Sequence, residues 1–239
     1  MIAENIARVK EQIAAAARRA GRDPQDILLM AVSKTVSPEA IREAYAAGVR
    51  LFGENRVQEF QAKSSALANL SSTGLKDNAA QWHMIGHLQS NKAAKAAELF
   101  SAVDSVDSLR LAERLNAAAQ SMGKKIPILI EINIGEEAAK SGLPPGGEEI
   151  EALLRAAPRL QNIAMDGFMT VPPFMENPGQ SRPFFRRMRA LRDAINARNL
   201  PGIAMRTLSM GMSHDFPAAI EEGSTCVRIG TAIFGGRKI

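Results

Sequence analysis

Residues 27–35 read Ile27-Leu28-Leu29-Met30-Ala31-Val32-Ser33-Lys34-Thr35. Six apolar residues run in succession, succeeded by a hydroxyl, an amine and a second hydroxyl. An unbroken apolar run closed by polar residues predicts a strand buried on both faces, as in a parallel sheet covered by helices. The residues after the run decide between two architectures. An open doubly wound sheet would be expected to carry a glycine fingerprint such as GxGxxG after its first strand. Ser33-Lys34-Thr35 stands there instead, which favours a closed barrel.

Outward from this first run, Ile27 to Ser33, seven further β-rich runs recur: Val49 to Phe52, Gln81 to Ile85, Ser101 to Val103, Ile126 to Asn133, Ile163 to Met169, Met205 to Ser209 and Cys226 to Ile229. Helical stretches fill the gaps, the alternation of parallel strands with crossover helices. Ser37-Pro38-Glu39 supplies a cap, a first-turn proline and an acidic residue at one helix start, while Gly48 and Gly223 fall where helices should stop. An amphipathic helix, Ile2 to Ala20, precedes the repeat, with Ile2, Ile6, Val9 and Ile13 on one face and Gly21 at its end. Eight strands in about 210 residues is about 26 per unit, the economy of a barrel with little decoration. The expected fold is therefore of the α/β class: a single (β/α)8 TIM barrel with an extra N-terminal helix, one domain over residues 1–239. Ser71 to Asn78 and Pro144 to Gly147 read as polar loops within it.

Composition narrows the function classes. With 46% hydrophobic and 23% charged residues, the chain can bury a continuous core, and disorder is excluded. No run reaches the ~18 apolar residues that span a bilayer, and Met1 to Lys10 alternates charged and apolar residues where a secretory signal would hold an apolar core. A cytoplasmic protein without a membrane partner is expected. One cysteine, Cys226, permits neither an internal disulfide nor a cysteine-based metal site. The net charge of +5 selects no partner. The densest basic stretch, Arg182 to Arg192, interleaves arginines with Phe184, Phe185, Met188 and Leu191 at helical spacing, a solvated helix face over an apolar underside. With aromatics at 5% there are too few rings for a base-stacking platform, and no nucleic-acid partner is expected.

In a parallel barrel the carboxyl ends of all strands converge on one mouth, and function concentrates there. Lys34 comes directly after the first strand, where partial desolvation would favour a neutral, nucleophilic amine able to form a Schiff base with an aldehyde. A lysine snorkelling to the rim is the plainer alternative. Barrel closure sets the last strand beside the first, so Arg228 and the turn Gly230-Thr231 come near Lys34 from the far end of the sequence. Glycine permits close backbone approach and the threonine hydroxyl adds a donor, together a seat for phosphate. The loop Ser209-Met210-Gly211-Met212-Ser213 after the seventh strand adds two hydroxyls in a neighbouring position. An aldehyde-reactive amine, a guanidinium and a phosphate cradle together suit pyridoxal 5'-phosphate.

The stretches Ala31 to Thr35, Phe52 to Glu59, Trp82 to Lys92, Leu208 to Ser213 and Val227 to Gly235 resemble the pyridoxal phosphate homeostasis protein family (YggS/PROSC type), over almost the whole chain. That family is related to the amino-terminal barrel of alanine racemase and binds pyridoxal phosphate without an established catalytic activity. The resemblance implies Lys34 as the Schiff-base lysine, Arg228 as partner of the pyridine nitrogen, and Ser213, Gly230 and Thr231 at the phosphate. It also implies that Asn55, His83 and Ile85 lie near the cofactor; Ser209 and Met210, from the loop after the seventh strand, are likewise expected to bind it. Departures from the family pattern stand at Gly135, Phe168 and His214, none of them touching Lys34 or Arg228.

Other readings of these residues are weaker. His83 and His87 are four apart, a metal-ligand spacing only on a helix, and Gly86 interrupts it. His214-Asp215 beside serines lacks the strained elbow of a hydrolase and reads as a helix-start cap. Asn133, Glu136 and Lys140 come after the fifth strand. Lys140 is a candidate second amine or a solvated loop lysine, and Glu136 reads as surface. Cys226 reads as a small core residue.

The same residues bear on enzyme against carrier. Arginine keeps its proton, so Arg228 would leave the cofactor a weak electron sink. Two-sided proton transfer needs a second base, which in the resembled racemases comes from a second domain for which 239 residues leave no room. The expectation is a carrier that sequesters pyridoxal phosphate and delivers it to apoenzymes that require it, as a monomer. An amino-acid racemase-like enzyme is the alternative.

Overall fold

The computed structural model describes residues 1–71 and 79–236. The chain opens with α1 (Ile2–Arg19), which buries Ile6, Val9, Ile13, Ala16 and Ala17 and ends as Gly21 turns at φ +66°. Next come β1 (Leu28–Val32), α2 (Pro38–Ala46), β2 (Leu51–Glu54), α3 (Val57–Ser64), α4 (Ala68–Ser71), β3 (Gln81–Met84), α5 (Ala93–Leu99), β4 (Ala102–Val106), α6 (Leu109–Ser121) and β5 (Ile126–Glu131). The order then runs α7 (Glu148–Ala156), β6 (Ile163–Met169), α8 (Arg182–Ala197), β7 (Thr207–Met212), α9 (Phe216–Glu221), β8 (Cys226–Ile229) and α10 (Thr231–Phe234). Strands pair in parallel in sequence order, and β8 closes on β1 with Leu28 opposite Cys226 and Met30 opposite Arg228. The expected barrel and the added first helix are both present. Helix α1 packs on α9, α10 and α2, beside the closing seam.

Local signals act as expected at several ends. The Ser37 hydroxyl accepts from the Ala40 N–H to cap α2, with Pro38 in its first turn. Gly48 and Gly223 take positive φ just past α2 and α9. Pro144 to Gly147 is irregular, as expected, whereas the loop expected at Ser71 to Asn78 lies outside the described residues apart from Ser71, the last residue of α4.

Strand limits differ from the expectation where apolar character and backbone pairing part company. The second strand is not Val49 to Phe52 but Leu51–Glu54, because Gly53 and the buried Glu54 complete it. The fourth extends past Val103 through Asp104 and Ser105 to Val106, polar residues that are nevertheless buried. The seventh starts at Thr207, since the Asn196 side-chain amide occupies both the N–H and the C=O of Met205. The fifth stops at Glu131, where the chain instead exchanges backbone bonds with Leu143.

Alternation along the strands sorts side chains between two layers. Phe52, Trp82, Met84, Ile128, Ile130, Leu208, Met210, Val227 and Ile229 join the large apolar cluster between sheet and helices. The residues between them, including Met30, Gly53, His83, Leu129, Ser209, Cys226 and Arg228, face the barrel interior. A Cβ on Gly53 would stand 2.8 Å from both Met30 and Ile85, which locates Ile85 in the same interior. In α8, Phe185, Met188 and Ile195 are buried, while Arg182 pairs with Glu221 and Glu222, Arg187 with Glu136 and Arg192 with Asp193. The basic stretch is thus an ion-paired helix face. Among the described residues, no helix is long and apolar enough to cross a membrane.

Candidate functional site

One side of the barrel mouth is formed by the carboxyl ends of β1 and its closing neighbour β8. Lys34 lies two residues beyond the end of β1 and has the same parity as Met30 and Val32. It lines a cavity of about 290 Å³ together with Val32, Thr35, Ser37, Gly230 and Thr231. The lysine and the Gly230-Thr231 turn, one from each end of the sequence, therefore share one space. Thr231 begins α10, whose Ala232 N–H donates to the Ser213 hydroxyl at 3.3 Å, tying the loop after β7 to the turn after β8.

Arg228 lies deeper, 4% exposed. Its Nη1 donates to the Ser209 carbonyl at 2.5 Å and the Ser209 hydroxyl at 2.8 Å, and its Nη2 to the Thr170 carbonyl at 2.7 Å. These bonds use three of the five N–H groups of a guanidinium. Burial lowers the pKa of Arg228 from its ordinary value, opposed by Cys226, Asp104, Glu131 and Asp215. A guanidinium stays charged through such a shift. Beneath it, burial pushes the Cys226 thiol up to about 12, with Asp104 adding to the rise and Arg228 and the Ser209 hydroxyl opposing it.

Across the mouth, His83 Nδ1 is hydrogen-bonded at 3.2 Å to Oδ2 of the buried Asp104, a carboxylate that fixes the ring's orientation. His87 is similarly 3.1 Å from Asp107. Glu131, at the end of β5, is 9% exposed and its Oε2 is buried without a hydrogen-bond partner. Desolvation, then the Asp107 charge, raises its pKa to about 7, against the pull of Arg228 and His87. A carboxyl that is about half protonated at neutral pH thus stands half way round the barrel from β1.

The structure brings together Lys34, Gly230, Thr231 and Ser213, and separately Arg228 with Ser209. His83 and Ile85 occupy the interior side of β3. Asn55 lines a neighbouring recess with Arg56, His87 and Lys92 rather than the Lys34 cavity. Met210 is completely buried in the outer layer, because it alternates with Ser209 along β7, and its side chain does not reach the mouth. Lys140 pairs with Glu137 and donates to the Pro172 carbonyl at 3.2 Å. Asp215 precedes α9 but does not cap it: its carboxylate accepts from the Met212 N–H at 2.7 Å, looping back on β7. Sequence reasoning missed Glu131 and Asp104. The available signal was a carboxylate standing within or at the end of an apolar strand run.

This barrel, with its lysine after the first strand, places the chain in a defined class: residues 5–238 match the model of the alanine racemase N-terminal domain, and the chain belongs to that family. Within it, the chain is 43% identical over 235 residues to the pyridoxal phosphate homeostasis protein of Aquifex aeolicus, covering 98% of both. The solved structure of PipY from Synechococcus elongatus, with PLP bound, is 37% identical with a TM-score of 0.83, covering 98% of this chain and 100% of that one. Alanine racemase from Streptomyces coelicolor shares the fold at 22% identity and a TM-score of 0.65, over 97% of this chain and 58% of the racemase.

Proposed function

We propose that this chain is a single-domain binder of pyridoxal 5'-phosphate that serves intracellular homeostasis of the cofactor, holding it through Lys34 and yielding it to apoenzymes that need it. The observation that carries this is the cavity in which Lys34 meets Gly230 and Thr231. The homeostasis proteins and the PLP-bound PipY among its relatives support it. The donor set fits the group: Lys34 for the aldehyde, Ser213, Gly230 and Thr231 for the phosphate, and the two remaining N–H groups of Arg228 for the ring nitrogen. His83, Asn55 and Ile85 would flank it, and Ser209 would hold Arg228 in place. When bound, the cofactor supplies an electrophilic aldehyde and an electron-accepting ring. Arg228 donates a hydrogen bond yet retains its proton, which favours holding the group over broad carbanion chemistry. The protein would act as a cytoplasmic monomer.

Incubation with pyridoxal phosphate, borohydride reduction and peptide mapping fixes the label on whichever amine condensed with the aldehyde. Label on Lys34, lost in Lys34→Ala, is expected; label confined to other lysines would overturn the site. Racemisation, transamination or decarboxylation of amino acids that Lys34→Ala abolishes would overturn the carrier reading.

A second reading, an amino-acid racemase-like enzyme, is favoured by one observation: Glu131 is a titratable carboxyl on the strand opposite β1, where a second proton-transferring group would be needed. Entry of solvent deuterium at the α position during turnover, lost in Glu131→Gln, would establish it.

A further inference from the structure

Thr35, the residue after Lys34, has φ +61°. A β-branched residue avoids this region unless its surroundings impose it, and such outliers collect at functional positions. The surroundings here come from the stretch Phe52 to Glu59 and from α3. The Thr35 N–H donates to Glu59 Oε1 at 2.5 Å, and its hydroxyl donates to the Lys34 carbonyl at 2.6 Å. On the other side of Lys34, the Ser33 N–H donates to the Gly53 carbonyl at 2.9 Å and the Ser33 hydroxyl to Glu54 Oε1 at 2.6 Å. Lys63 joins the two halves: its Nζ donates to the Ser33 carbonyl at 2.9 Å and lies 2.8 Å from Glu54 Oε1 and 3.1 Å from Glu59 Oε1. Lys63 is 10% exposed and Glu54 fully buried.

This arrangement lies behind the barrel wall. Glu54 has the outward parity of Phe52, and Glu59 and Lys63 are one helical turn apart on α3, so Glu54 and Lys63 pack between sheet and helix while Glu59, partly exposed, stands at the rim beside Thr35. Both peptide neighbours of Lys34 are thereby pinned by groups outside the cavity that the lysine lines. Stability alone gives no reason to force a threonine to positive φ, where glycine would sit without strain.

We propose that Glu59, Lys63 and Glu54 form a positioning clamp that holds Thr35 in its strained conformation and so directs the Lys34 amine into the cavity beside Gly230 and Thr231. This rests on Lys34 being the amine that takes the aldehyde. Glu59 is the critical member, because it alone among the three bonds the strained residue directly. Without it, Thr35 returns to negative φ and the lysine swings toward solvent.

The test uses four proteins, the wild type, Glu59→Ala, Glu59→Gln and Glu59→Ala/Thr35→Gly, and two probes. Trace acetic anhydride, without any cofactor, measures Lys34 accessibility by mass spectrometry, with Lys124, a half-buried lysine before β5 whose amine donates to the Ala97 carbonyl, as the internal reference. Subsaturating pyridoxal phosphate with subsequent borohydride measures capture at Lys34. In Glu59→Ala, Lys34 acetylation should rise about fivefold against Lys124 while capture falls about tenfold. Glutamine keeps an acceptor for the Thr35 N–H, so Glu59→Gln should stay within about twofold of wild type. Glycine at position 35 takes positive φ about as readily as negative φ, so the double variant should recover to within about twofold of both wild-type values.

General loosening would raise acetylation of Lys124 too and would not be cured by the glycine; either result overturns the clamp, as do unchanged Lys34 values in Glu59→Ala. If the acetylation pattern appears as expected while wild-type cofactor label maps away from Lys34, the clamp stands and the cofactor assignment fails.

Discussion

Glu131 makes stability depend on pH in a direction opposite to most carboxylates. Its pKa in the folded chain is about 7, against an ordinary 4.5. Between those values the folded chain holds a proton that the unfolded chain releases, so stability falls as pH rises through that window. Above it the full penalty is present, roughly 3.5 kcal/mol at about 1.4 kcal/mol per pH unit of that window, of which about 3 kcal/mol develops between pH 4.5 and 8. Glu131→Gln replaces the protonated carboxyl with a neutral group of the same shape. The unpartnered Oε2 position costs both forms a similar constant amount, so the slope and not the offset carries the information. Urea unfolding of both proteins at half-unit steps from pH 4.5 to 8 should show the variant gaining about 3 kcal/mol on the wild type across the series. Titrations shared by both chains cancel in the difference. A flat difference would refute the burial argument, and a gain toward acid pH would mean that Arg228 outweighs desolvation.

Lys63→Met should cost about 3–5 kcal/mol in urea unfolding, because Glu54 is left in the dry wall with a hydroxyl and no cation. A loss below about 1 kcal/mol would show that Glu54 does not depend on it. The Cys226 thiol, raised to about 12 and buried, should react with a disulfide reagent at the rate of global unfolding, and rapid modification of the native protein would contradict its interior position. Gly167→Ala places a Cβ 1.9 Å from the Thr207 carbonyl oxygen, so the β6–β7 pairing must part at a cost of at least about 3 kcal/mol. A variant that melts like the wild type would disprove that close approach.

The barrel was legible because its helices and strands alternate with little decoration, and because the apolar runs of β1 and β8 end abruptly in polar residues. Lys34, Gly230 and Thr231 could be paired across the whole sequence on closure alone. Strand ends were not legible where the interior or the wall uses polar groups: Glu54, Asp104 and Gly211 break the apolar pattern yet stay in the ladder. Glu131 was hidden by the reverse effect, since Ile126 to Ile132 continues past it and it reads as one polar residue in a long run. Glu59 and Lys63 have the spacing of an ordinary surface pair on a helix. Only the approach of Lys63 to the buried Glu54 on β2 turns that pair into a brace, and no local window of sequence contains both partners and the threonine they constrain.

Closure of β8 on β1 also sets an order of events during synthesis. A ribosome releases Lys34 early and the Gly230-Thr231 turn almost two hundred residues later, so a nascent chain carries the lysine without the turn that shares its cavity. The cavity between them is thereby complete only once the last strand has docked. A cofactor held at the seam would staple the two ends of the fold, and its departure would loosen the join that was made last.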